Sequence, residues 1–226
     1  MGVTGVAILR QFPRYSRAEL VADGCVHATG VAFSLVAVAV MMTLAAKMLS
    51  PTATAGLGVY AFGMVAVFTC SAAYNLASPA RPGLKAILRR FDHAAIYVKI
   101  AGTYTPLAIK MGDLGGLLLL GGVWAITAFG ATAKLLWPGH LARTSYVLYL
   151  VQGWAVLSAL SSLLPAVSSR VLILLVVGGS LYTVGVVFHL WERLRYHNAI
   201  WHGLVLAGSC CHFAAIIDAV GLTGAA

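Results

Sequence analysis

Charge is scarce in this chain. Six of its 226 residues are Asp or Glu, and charged residues of both signs make up 9% of it, whereas a water-soluble domain carries about 25%. With 61% apolar residues and a mean hydropathy of +0.92, the composition excludes a soluble globular domain and describes an all-α integral membrane protein. Apolar stretches of about 20 residues, the length a spanning helix needs, follow one another with short polar connections, which leaves no room for a soluble domain.

Cysteine is also rare. Cys25, Cys70, Cys210 and Cys211 sit in apolar surroundings without CxxC spacing, which argues against a disulfide framework or a thiolate metal site and for small buried hydrophobes. No span carries a polar stripe along its full length, so a pore is disfavoured. No convincing internal repeat is present, which weighs against an inverted-repeat transporter. A cleavable signal peptide is disfavoured too, because the first long apolar run exceeds a signal core of about 7–15 residues. The net charge of +9 does not form a nucleic-acid patch: the basic residues lie at span ends, where they set topology and meet anionic headgroups.

What is present is a series of seven predicted spans, near 19–46, 55–76, 87–109, 114–136, 145–163, 171–190 and 199–220, preceded by an interfacial arm at 1–18. The spans form one domain over 19–221. Eleven Lys and Arg residues fall on the side of the N-terminus, against Lys47, Lys110 and Arg170 on the other, with Lys99 inside the third span. The positive-inside rule then puts the N-terminus in the cytoplasm and the C-terminus outside.

The third span is the unusual one. In RRFDHAAIYVKIAGTYTP, Arg89 to Pro106, it carries Asp92, His93 and Lys99, and an ionisable group inside an apolar span marks a working site by default. Lys99 is placed to neutralise a buried carboxylate or to snorkel. The predicted topology brings other polar pairs to the depth of Asp92. Asp23 and His27 open the first span, Ser71 and Asn75 end the second, and Asn198 and His202 open the last; each pair is four apart and so on one helix face. Asp92 and His202, with His27 or His197, are strong donors that allow a metal or a hydrogen-bonded network. His140 and His197 read as loop residues facing water.

These segments resemble the bacterial haemolysin III proteins, relatives of the adiponectin and progestin membrane receptors. The resemblance rests on Glu19 through His27 to Gly30, on SAAYN at the end of the second span, on RRFDHAAIYVKIAGTYTP, on LYTVGVVFHLWER at 181–193 and on HNAIWHGLVLAGSCCHF at 197–213. It implies a seven-transmembrane-helix bundle similar to that of alkaline ceramidases, with zinc as cofactor. In that family three histidines hold the zinc: one ends an S-x-x-x-H motif in the second span, and two lie four apart in the seventh. An aspartate at the start of the third span supports the attacking water.

Carried over, Ser71 and Asp92 are the catalytic candidates, and His202, Asn75, Asn198 and Asp92 make up the metal site. Two of the three histidine positions therefore hold asparagine, whose amide is a poor zinc ligand. Either the chain is a variant without the metal, or the histidines were replaced, or His197 compensates from an irregular start of the last span. The resemblance implies hydrolysis of a lipid amide or ester, or, as the alternative, lipid binding or sensing that affects membrane properties or cytolysis. The expected partner is a membrane lipid or lipid-derived ligand and no nucleic acid, and the small residues permit a homo-oligomer.

Overall fold

A computed structural model describes residues 15–137 and 144–223. Most of the expected N-terminal arm, the WPGH turn beyond Trp137, and His140 lie outside the described residues.

Every regular element among the described residues is helical: α1 (Arg17–Met48), α2 (Pro51–Leu76), α3 (Pro82–Met111), α4 (Leu114–Leu136), α5 (Thr144–Gly153), a 3-10 turn (Ala155–Ala159), α6 (Leu160–Ala166), α7 (Ser169–Leu190) and α8 (His197–Ala219). Local chemistry sets the ends. Ser16 caps α1 in a capping box with Glu19, and Ser50 caps α2 ahead of Pro51. Asp113 caps α4, and Ser168 caps α7. Each side-chain oxygen takes a first-turn N–H that has no partner within the helix. Gly112 ends α3 at φ 68°, a left-handed conformation that costs glycine nothing.

Among the described residues six helical segments are long and apolar enough to cross a membrane: α1, α2, α4, the run Thr144–Ala166, α7 and α8. Leu114, Leu117, Leu118, Phe129 and Ile173 project from the surface, as lipid-facing side chains do. The protein is a multi-pass integral membrane protein.

The helix outside that set, α3, is the hub. It packs against α2, α4, α5, α6 and α8, while α1 joins α2 to α8 and α7 joins α8 to α5. Its polar side chains explain both facts: Asp92, Lys99, Thr103 and Thr105 lower its hydropathy and are buried against protein, where lipid would strand them. Close approach depends on missing side chains. A Cβ on Gly63 of α2 would lie 3.1 Å from the Lys99 Cα, and one on Gly102 of α3 would lie 3.1 Å from the Val59 carbonyl; small residues let membrane helices touch backbone to backbone.

The fifth span differs from the expected continuous helix. It breaks after Gly153, passes through the 3-10 turn and resumes as α6, with Pro165 inside that last helix. A break at this depth frees backbone groups that lipid cannot satisfy. Tyr104 of α3 takes them up: its hydroxyl donates to the Gly153 carbonyl and accepts from the Val156 N–H at 3.3 Å.

Candidate functional site

The ends of α1, α2 and α8 and the first half of α3 deliver polar side chains to one place. Asp23 and His27 come from α1, Ser71 and Asn75 from α2, Asp92 from α3, and Asn198 and His202 from α8. All are buried except Asn75, which is half-buried. Glu19 helps fix the start of α8 by accepting the Tyr196 N–H at 3.1 Å, and Tyr196 enters the helix at φ 63°. Beside it Tyr15, outside the spans, is pushed up to about 12 chiefly by burial, with the Tyr74 charge adding to the effect, so it stays a neutral phenol.

Asp23 is the centre of the network. His202 Nδ1 donates to one carboxylate oxygen at 2.6 Å. The Asn198 amide donates to the other at 3.0 Å, and His27 Nε2 stands 3.4 Å from that same oxygen. The two imidazoles are tilted at 54° to each other, with centroids 4.3 Å apart. The Asn198 amide also donates to Asn75 Oδ1 at 3.3 Å, and the Asn75 amide donates to the Ser71 carbonyl at 3.0 Å. Asp92 faces the Ser71 hydroxyl, with His27, Arg89 and Asp23 as its ionisable neighbours.

This geometry decides how a metal would be held. At the two positions that would carry histidine by resemblance, Asn198 turns its N–H groups toward Asp23 and Asn75 Oδ1, and Asn75 turns its own toward Ser71 while its amide oxygen is taken up by Asn198. A metal needs lone pairs there, so the three-histidine pattern does not fit this chain. A different set does offer the right chemistry: Asp23, His27 and His202 are buried and place one ligand atom each within 4.8 Å of one another. A carboxylate with two imidazoles is a usual zinc set. His27 Nε2 is buried without a hydrogen-bond partner, a cost that bound metal would relieve.

The polar cluster lies at one end of a cavity of 920 Å³ between the helices, with walls that are mostly apolar. Ser71, Asn75, Asp92, Asn198 and His202 all line it, as do Asp23 and His27. Farther along are Lys99 and Thr103, and beyond them Leu107, Leu157, Leu160 and Leu163. The volume is that of a ligand site.

Three expectations need correction. His197 is not a solvated loop residue: it is the first residue of α8, 5% exposed, with its ring 5.8 Å from that of Tyr15. Lys99 neither pairs with a carboxylate nor snorkels, for it is 6% exposed and its partners are Thr103 and the Tyr60 ring. Asp23, on which the hydrogen-bond network centres, was not among the expected site residues. Its spacing of four from His27 was the signal, but a lone Asp/His pair at a helix start reads equally as a cap.

The comparisons agree with the segments named above. The family model described as haemolysin-III related matches residues 17–213. The Hemolysin-3 homolog of Bacillus subtilis (strain 168) is 34% identical over 201 residues, covering 88% of this chain and 93% of its own length. Hemolysin-3 of Bacillus cereus is 32% identical over 200 residues, covering 88% of this chain and 90% of its own. The chain belongs to the haemolysin-III-related family.

Proposed function

We propose that this protein binds a lipid or lipid-derived amphiphile inside its helix bundle, with the acyl chain in the apolar length of the cavity and the polar part among the buried polar residues. One observation carries the reading: a 920 Å³ space is walled by apolar side chains, yet its length holds Asp92, Ser71, Lys99 and Thr103. A cavity of that volume surrounded by lipid fills with what the bilayer supplies. In this reading α3 is the seventh crossing, enclosed by its neighbours. The Asp23 cluster lies toward the cytoplasmic face of a bacterial inner membrane, as the eleven basic residues on the N-terminal side favour.

The test is lipid analysis of protein purified in mild detergent. Close to one single-chain or small amphiphile per chain is expected. Folded protein free of lipid, with no saturable uptake of any acyl probe, would overturn the reading.

Hydrolysis of a lipid amide or ester is the second reading, and the Asp23, His27 and His202 group favours it. Zinc held by those three residues would polarise a carbonyl and lower the pKa of a water. The chain's own part is positioning. Asp92 and the Ser71 hydroxyl face the same cavity, so a carboxylate is in place to hold a proton and a hydroxyl to orient a polar head. Release of fatty acid from an amide or ester substrate, abolished by chelation and by Asp92→Asn, is the expected result. Release that survives both would exclude this reading.

A further inference from the structure

Lys99 is a buried cation that the polar cluster does not use. It lies on α3 about 10 Å beyond Asp92 along the axis, and about 18 Å from the nearer helix end at Met111, too deep for its ammonium to reach an interface. Its Nζ donates to Thr103 Oγ1 at 3.1 Å and sits 4.8 Å from the centroid of the Tyr60 ring. Thr103 gives its own proton to the Lys99 carbonyl at 2.9 Å, which leaves its oxygen as the acceptor. A hydroxyl and a ring face supply only partial negative charge. The ion pairs among the described residues are Asp23 with His27, Asp23 with His202, and Arg170 with Asp218; none includes Lys99. His212 of α8, which feels the lysine charge, brings no negative charge either.

An ammonium buried without an anion is costly, and this one opens onto the cavity. We propose that Lys99 anchors the carboxylate of a free long-chain fatty acid. The carboxylate accepts a hydrogen bond from Lys99 Nζ, and the chain runs along Leu107, Leu157, Leu160 and Leu163. This rests on the reading of the cavity as an acyl-chain site and adds the charge of the head group and its place. One ammonium matches one negative charge, so a carboxylate fits better than a doubly charged phosphate. Asp92 and Asp23 repel an anion at the other end of the cavity, and the head group therefore stops at Lys99.

The experiment compares palmitate with hexadecanol, two probes of equal chain length, on the delipidated full chain in detergent at a pH where palmitate is ionised. A charge-assisted hydrogen bond should make palmitate bind about 10- to 100-fold tighter. Lys99→Met, which keeps an unbranched stem and removes a buried charge, should erase that advantage, so that palmitate binds no tighter than hexadecanol. Lys99→Arg should retain part of it. Equal affinities in the unaltered protein, or a palmitate advantage that survives Lys99→Met, would overturn the assignment while leaving the acyl-chain reading intact. Failure of both probes to bind would overturn the two together.

Discussion

Replacing Asp23 by Ala tests whether the polar cluster joins the helices or merely lies between them. The carboxylate takes hydrogen bonds from two residues of α8, His202 at 2.6 Å and Asn198 at 3.0 Å, and stands beside His27 of its own helix. In water a charge-assisted bond is worth about 1.5–3 kcal/mol. In a membrane the unfolded reference state also finds partners, and interhelical polar pairs average about 0.6 and reach about 1.7 kcal/mol. Two such bonds place the expected loss at about 1–3 kcal/mol, measured by thermal or denaturant unfolding in detergent micelles. The loss should couple to His202: in a double-mutant cycle with His202→Ala, the interaction energy should exceed about 0.5 kcal/mol. Additive losses, or an Asp23→Ala protein as stable as the original, would refute the reasoning that α1 and α8 are joined through this carboxylate.

Three further outcomes are expected. Asn75→His together with Asn198→His should raise the zinc content of the purified protein above that of the unaltered chain, because two amides that donate hydrogen bonds become lone-pair donors; metal analysis by mass spectrometry reads this directly. Tyr104→Phe should cost about 1–3 kcal/mol in unfolding experiments, since the Gly153 carbonyl and Val156 N–H at the break in the fifth span then lose their partner. Asp113 sets an acid limit: hydrogen bonds from the Ser162 hydroxyl, then from the Gly116 N–H, hold its carboxyl below the usual range. Its contribution is therefore full above the unfolded value of about 3.9 and is lost as pH falls through the lower folded value, so an Asp113→Asn protein should show a shallower loss of stability on acidification.

Much of the architecture was legible because membrane helices are written in two plain signals, apolar length and polar punctuation. The expected connections after the first and third spans fall where Ser50 caps α2 and where Gly112 ends α3 and Asp113 caps α4. The gathering of Ser71, Asn75, Asp92, Asn198 and His202 around one cavity was also legible, since pairs four apart on three helices fall at one depth. The break at Gly153 was not. Residues 144–166 are long and apolar enough for one continuous span, and the partner that makes the break tolerable, Tyr104, is 49 residues away in sequence. Asp23 was legible as a neighbour at the depth of Asp92 but not as the centre of the network, for a similar reason. What makes it the centre is its contact with α8, across a separation of 175 residues to Asn198 and 179 to His202, and no local pattern reports such a contact. His197 was misread because charged and polar neighbours in WERLRYHN suggest water, whereas the left-handed turn at Tyr196 folds the imidazole inward.

The most direct test of the lipid-site reading is to photolyse a long-chain fatty acid carrying a diazirine near its tail on the purified protein, and to map the labelled residues by mass spectrometry. Labels concentrated on Leu107, Leu157, Leu160 and Leu163, and removed by excess palmitate, are the expected result. Labelling confined to the outward residues of α4 and α7, such as Leu117, Phe129 and Ile173, and insensitive to competitor, would contradict it.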